Sequence, residues 1–134
     1  MNASKSEGKS ILQTNPQKTG HVALKGFFKI TDEWGLKPAE QRILLGDIPT
    51  STFAKYKTLP SINLSKDMLD RISYVMGIYK ALRILFPTHD QAVNWVSKAN
   101  SAYPFNGKSA LSFMLGGHLT DLADVRRYLD WQRS

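Results

Sequence analysis

The sequence predicts an all-α fold, and three observations carry that prediction. Apolar residues recur at steps of three and four, the segments so patterned are bounded by Ser or Thr caps and by Gly or Pro, and no alternating strand pattern of convincing length interrupts them. A chain of 134 residues fits one compact domain or two small ones sharing a core.

From Met1 to about Gly20 the chain is rich in Ser, Asn, Gln, Lys and Gly and offers only Ile11-Leu12 for burial. Such a segment cannot recover the entropy of ordering, so residues 1–20 read as a flexible basic tail, with Lys5, Lys9 and Lys18 available to phosphates. Helical periodicity starts near Val22: Val22, Leu24, Phe27, Phe28, Ile30 and Trp34 make a broad apolar face that Gly35 terminates. Pro38 opens a short helix to Leu45, where its missing N–H costs nothing, and Ile43, Leu44 and Leu45 are its buried residues. Gly46 ends it, Ile48 plugs the core, and a third helix begins near Pro49 or Thr50 with Phe53 and Tyr56 beneath it.

That punctuation is a helix-turn-helix, a unit whose second helix can place its first residues in the major groove of DNA. Ser51, Lys55 and Thr58 lie opposite the apolar side, with Thr50, Thr52 and Lys57 at the margins. Short hydroxyl side chains at a helix start suit close approach to a phosphate backbone, and two lysines add charge, so Thr50, Ser51, Thr52, Lys55 and Lys57 are the candidate DNA contacts. The plain alternative is that Thr50 or Ser51 caps the helix and the lysines solvate it.

After Leu59-Pro60, Ser65 caps a long helix carrying Met68, Leu69, Ile72, Val75, Met76, Tyr79, Leu82 and Leu85, which ends at Phe86 before Pro87. Its apolar face reads as a dimer seam around Tyr74 to Leu85 or as intramolecular core. Thr88 caps a helix from His89 to about Lys98, with Ala92, Val93, Trp95 and Val96 buried. Asn100 to Gly107 is a loop whose Asn106-Gly107 marks a turn, Ser109 caps a short helix from Ala110 to Leu115, and Gly116-Gly117 stops it. The last helix, Thr120 to Trp131, buries Leu122, Val125 and Leu129. At 100° per residue Trp131 falls beside Asp124 and Arg127, off that stripe, and an exposed Trp near Arg residues suggests a partner surface; the alternative is a frayed end whose Trp folds back.

Lys and Arg number 18 against 11 Asp and Glu, a net charge of +7 that favours an anionic partner through counterion release, although ordinary basic surfaces share it. The absence of Cys excludes disulfides, thiolate zinc sites and cysteine nucleophiles. With no apolar leader and no stretch long enough for a bilayer, a cytoplasmic protein without a membrane partner is expected. His21, His89 and His118 have neither ligand nor triad spacing, and no P-loop or nucleophile elbow occurs, so neither catalysis nor a metal nor a cofactor is expected.

Trp34-Gly-Leu36, Glu40-Gln41 through Leu44-Leu45-Gly46, Ile48, Ser51-Thr52 and the aromatic Tyr56 are followed in order by Phe86, Ala92 to Trp95, Asn100, Gly107-Lys-Ser-Ala-Leu111 and the Gly-rich stop before the final helix. From Phe27 to Leu129 this arrangement resembles the Xre/MbcA/ParS antitoxins of bacterial type II toxin–antitoxin systems. Pro49, where the pattern more often has a small capping residue, and Tyr56, in place of a Trp, depart from it. The resemblance implies an Xre-like helix-turn-helix domain over 21–63, a connecting and dimerisation helix over 64–86 and a toxin-binding helical domain over 87–134. It further implies that the partner is a RES-domain toxin that consumes NAD, that the antitoxin blocks its active site, and that a homodimer represses its own promoter on double-stranded DNA. Arg126, Arg127, Trp131 and Arg133 are then the candidate toxin contacts. Two other functions fit the residues: a stand-alone helix-turn-helix transcription regulator without a toxin, and a protein-interaction module whose helix-turn-helix is structural only.

Overall fold

The computed structural model describes residues 16–58 and 62–134, and these form seven α-helices and no strand. They are α1 (Pro16–Glu33), α2 (Pro38–Leu44), α3 (Thr50–Thr58), α4 (Lys66–Leu85), α5 (His89–Ser97), α6 (Ala110–Met114) and α7 (Leu119–Arg133). The all-α expectation holds. Most of the expected tail, residues 1–15 with Lys5, Lys9 and the Ile11-Leu12 pair, lies outside the described residues.

The first helix starts six residues earlier than the apolar pattern suggests, at Pro16, and so takes in Lys18 and Gly20. Close packing explains the extension: a Cβ on Gly20 would collide with the carbonyl oxygen of Ile62 and meet Leu64, so here the absence of a side chain lets the helix lie against the chain leading into α4. Val22, expected on the buried face, is 57% exposed because it stands 200° around the helix from Leu24, which is buried with Phe27, Ile30 and Trp34. A Schellman closure ends α1: Leu36 N–H donates to the Thr31 carbonyl and Gly35 N–H to that of Asp32, both at 3.0 Å, with Gly35 at φ 76°.

Pro38 occupies the first turn of α2, and Lys37 N–H donates to the Glu40 carboxylate at 2.8 Å. Leu44 and Leu45 are buried as expected, Ile43 only half so, and the inward place belongs to Gln41. Its amide donates to Thr31 Oγ1 at 2.8 Å and to Asp32 Oδ1 at 2.9 Å, while the Thr31 hydroxyl donates to the Phe27 carbonyl at 2.9 Å. A buried polar group without partners is costly, so this fully satisfied network fixes how α2 sits on α1.

The strut of the molecule is α4, 20 residues and so about 30 Å long, which packs against α7, α1 and α5. Ser65 Oγ accepts from Met68 N–H at 3.2 Å, the expected cap. Met68, Ile72, Val75, Ile78, Ala81 and Leu82 are buried within the chain, so the face considered as a dimer seam serves largely as its own core. Met76, expected inside, is 42% exposed because it lies across Gly26 of α1, which has no side chain to cover it. Beyond α4, Thr88 and Ser109 cap α5 and α6 through the N–H groups of Gln91 and Ser112. The last helix extends two residues past Trp131, and His118 N–H at its start donates to Asp121 Oδ2 at 3.1 Å.

Candidate functional site

Two surfaces have the makings of a site, and each is a helix whose apolar side is locked down so that its other side is presented in a fixed pose. The first is α3. Its preceding turn needs two consecutive left-handed residues, Gly46 at φ 103° and Asp47 at φ 59°, and Gly at the first relieves the conformation that a Cβ would penalise. Arg42 ties this turn together: its carbonyl accepts from Asp47 N–H at 2.8 Å and Ile48 N–H at 3.3 Å, and its Nε donates to the Ile48 carbonyl at 2.9 Å. Ile48 is buried as expected, the Pro49 carbonyl receives the first helical bond from Phe53 at 3.0 Å, and the Phe53 ring meets Phe28 edge-on at 5.6 Å.

With that side fixed, Ser51, Ala54, Lys55 and Thr58 are exposed along the outer face, and Thr50 is exposed at the helix start. Thr52 is half-buried. Lys57 does not share the outer face: its ammonium lies 4.0 Å from the centroid of the Phe28 ring and 5.5 Å from that of Phe53. The five candidate DNA contacts therefore divide, with Ser51 and Lys55 outward, Thr50 and Thr52 flanking, and Lys57 turned toward α1. Tyr56 is half-buried, and that burial pushes its phenol above the ordinary value, so the hydroxyl stays a neutral donor.

The second surface joins α7 to the loop before α6. Trp131 is 68% exposed and Tyr103 80%, and together with Pro104, Asp124, Arg127 and Tyr128 they line one shallow cleft. Trp131 does not fold back. Arg127 donates to Asp124 Oδ1 at 2.8 Å, one turn below Trp131. Beneath the cleft Tyr128 stacks on Trp95 with centroids 6.1 Å apart, and the buried Phe105 meets the Trp95, Phe113 and Tyr128 rings edge-on at 5.8, 5.7 and 5.1 Å. The loop is closed by Gly107 N–H to Asn100 O at 2.7 Å, Asn100 N–H to Lys108 O at 3.1 Å and Ala102 N–H to Asn100 Oδ1 at 2.9 Å, with Asn106 and Gly107 left-handed as the turn signal implies.

Of the four candidate toxin contacts, Arg127 and Trp131 share this cleft and Arg126 and Arg133 do not. Arg126 reaches across Gly77 of α4, and both it and Arg133 approach Asp130 Oδ1, at 3.2 and 3.8 Å, on another side of the helix. The separation is geometric, since Arg126 and Arg133 are seven residues apart and nearly eclipsed, whereas Trp131 stands about 140° from Arg126. Tyr103, Phe105 and Tyr128 join the cleft or its base without a pattern in the sequence that marks them as site residues. For Tyr103 and Phe105 the signal is the Tyr-Pro-Phe run before Asn106-Gly107, which reads equally well as an irregular loop.

A buried arginine links the two surfaces' supports. Arg71 of α4 donates through one terminal nitrogen to the carbonyl of Leu44, at the end of α2, at 3.4 Å and to that of Gly117, before α7, at 3.0 Å, while its Nε donates to Asp67 at 2.9 Å. A second polar cluster surrounds Glu33, whose carboxylate accepts from Lys29 at 2.9 Å and Tyr79 at 3.0 Å and lies 3.3 Å from His89 Nε2. These contacts, Lys29 foremost, hold the Glu33 carboxyl below its ordinary value. His118 lies 3.3 Å from Asp121 at the start of α7, and His21 lies beside α3. Among the described residues no group of three or more His, Asp or Glu is placed to hold a metal ion, and no helix is long and apolar enough to cross a membrane.

Comparison with known proteins gives two matches. Residues 81–134, from the last turn of α4 through α7, match the family of the antitoxin Xre/MbcA/ParS C-terminal toxin-binding domain. Over 114 residues, 82% of this chain and 83% of the relative, the sequence is 43% identical to the uncharacterized protein y4oB of Sinorhizobium fredii (strain NBRC 101917 / NGR234). No solved structure matches the chain.

Proposed function

The chain belongs to the Xre/MbcA/ParS antitoxin family, and on that premise we propose that it neutralises a cognate RES-domain, NAD-consuming toxin by covering its active site and represses its own operon through α3. The family domain gives it an antitoxin role with a toxin as partner. What most supports the finer reading is that the matched segment carries the two most exposed large hydrophobic residues of the described chain, Tyr103 and Trp131, side by side on one cleft.

Large aromatics on a rigid base, with an Arg in the same cleft, are what interface hot spots are made of. The Arg127–Asp124 pair is solvent-exposed and contributes at most about 1 kcal/mol, so Arg127 is free to exchange Asp124 for a carboxylate of the toxin. Trp131 and Tyr103 then fill the entrance that NAD would use, making antitoxin and substrate competitors. Arg126 and Arg133, on the other side of α7, meet the toxin only where it wraps the helix end. At the opposite module Ser51 and Lys55 meet the major groove, and a two-fold homodimer sets half-sites about one DNA turn, roughly 34–36 Å, apart. The protein itself is non-enzymatic in this scheme and acts in the bacterial cytoplasm.

Co-expression with the neighbouring gene of its operon tests the reading. The expected result is co-purification of a RES-domain protein and preservation of cellular NAD. Trp131→Ala is expected to weaken the complex by about 2 kcal/mol or more, roughly 30-fold, without changing the helical circular dichroism. Undiminished neutralisation by that variant would remove Trp131 from the interface. A neighbour that neither binds nor depletes NAD would remove the RES assignment.

A further inference from the structure

Beside α3, His21, Leu24 and Lys25 of α1 face Tyr56 and Lys57 across a cavity of about 340 Å³ floored by Phe28. Among the described residues Lys29, Lys66, Arg71, Arg126, Arg127 and Arg133 each have a carboxylate within 4 Å. Lys25 and Lys57 have none among the described residues, and no acidic side chain lines the cavity. The segment from Pro16 to Thr58 carries seven Lys or Arg against four Asp or Glu, so its field is positive as a whole.

The place of Lys57 is informative because its ammonium is held over the Phe28 ring rather than left to wander. A cation fixed over an aromatic face loses little further entropy on meeting an anion, and an apolar floor strengthens the attraction by lowering the local dielectric. This spot is off the outward face of α3, so it is unsuited to reading base edges and suited to the backbone that borders the groove.

We propose that this cavity is a phosphate site in which Lys25 and Lys57, with His21 and the Tyr56 hydroxyl beside them, hold a backbone phosphate of double-stranded DNA at the edge of the groove that α3 enters. The inference rests on the operator-binding reading above. It moves Lys57 from sequence recognition to positioning and adds His21, Lys25 and Tyr56, which that reading leaves without a role.

The test uses the full chain, a duplex of its own upstream region and an unrelated duplex of equal length, with dissociation constants measured between 50 and 200 mM salt. Each phosphate contact contributes about 0.9 to the slope of log K against log salt, which over that range is roughly a 3.5-fold change in affinity. Lys25→Gln and Lys57→Gln are each expected to reduce the slope by about that amount and to weaken both duplexes alike, while Lys57→Arg keeps the wild-type slope. Lys25 is exposed, so its variant remains informative even where loss of the Phe28 contact disturbs the Lys57 variant. Wild-type slopes in both Gln variants, with the upstream duplex still bound, would overturn the phosphate site and leave operator binding standing. A wild-type chain that retains neither duplex would overturn operator binding itself, and the site with it.

Discussion

Replacing Arg71 by Met is expected to destabilise the α2 turn and the start of α7 together, because one buried guanidinium serves both. Met preserves most of the side-chain volume, so the loss is one of hydrogen bonding rather than of packing. Hydrogen bonds from a charged donor contribute about 1.5–3 kcal/mol each; the bond to Gly117 at 3.0 Å falls within that range, and the one to Leu44 at 3.4 Å at or below its lower end. Asp67, 60% exposed, adds less than about 1 kcal/mol. Against this, Met no longer carries a desolvated charge, which recovers part of the cost. The net expectation is about 2–3 kcal/mol, or roughly 10 °C in Tm for a domain of this size. Urea unfolding followed by tryptophan fluorescence and by far-ultraviolet circular dichroism measures it. Asp67→Asn is the control and should cost under about 1 kcal/mol. An Arg71→Met protein within about 0.5 kcal/mol of wild type would refute the reasoning, and an equal loss in Asp67→Asn would shift the effect from the two carbonyls to the ion pair.

Two further outcomes follow from other buried or paired groups. Phe105→Ala removes the ring at the centre of the Trp95, Phe113 and Tyr128 cluster and is expected to cost about 3–5 kcal/mol in denaturant unfolding, with loss of near-ultraviolet dichroism and of the fixed presentation of Tyr103. Because the folded-state pKa of Glu33 is depressed, its contribution to stability is present above the ordinary carboxyl value of 4.5 and is lost as pH falls through the lower folded-state value. Thermal melts across the acid range should therefore show a shallower decline for Glu33→Gln than for the wild type, and parallel declines would remove Glu33 from the acid limb.

Much of this architecture is legible locally. Ser65, Thr88 and Ser109 mark helix starts because a hydroxyl can satisfy orphan N–H groups wherever it stands, and each does so. Gly46 and Asn106-Gly107 mark turns because left-handed backbone excludes most other residues. The placement of Trp131 beside Asp124 and Arg127 follows from the helical angle alone, whereas its exposure, rather than a fold back onto the body, does not. Other features have no local signal. Gly20 reads as the end of a flexible tail until Ile62 is seen against it, and Val22 and Met76 read as core until the neighbouring helix is placed.

What the amino-acid order determined by itself is the set of helices and their caps, since propensity, periodicity and capping act within a few residues along the chain. Which side chains share a surface was decided only by the tertiary packing. Trp131 gains Tyr103 as a neighbour, Lys57 turns to Phe28 rather than outward, and Arg71 reaches carbonyls 27 and 46 residues away. Such meetings depend on how separate helices cross, and that is set by the summed burial of a core spread over the whole chain rather than by any segment read alone.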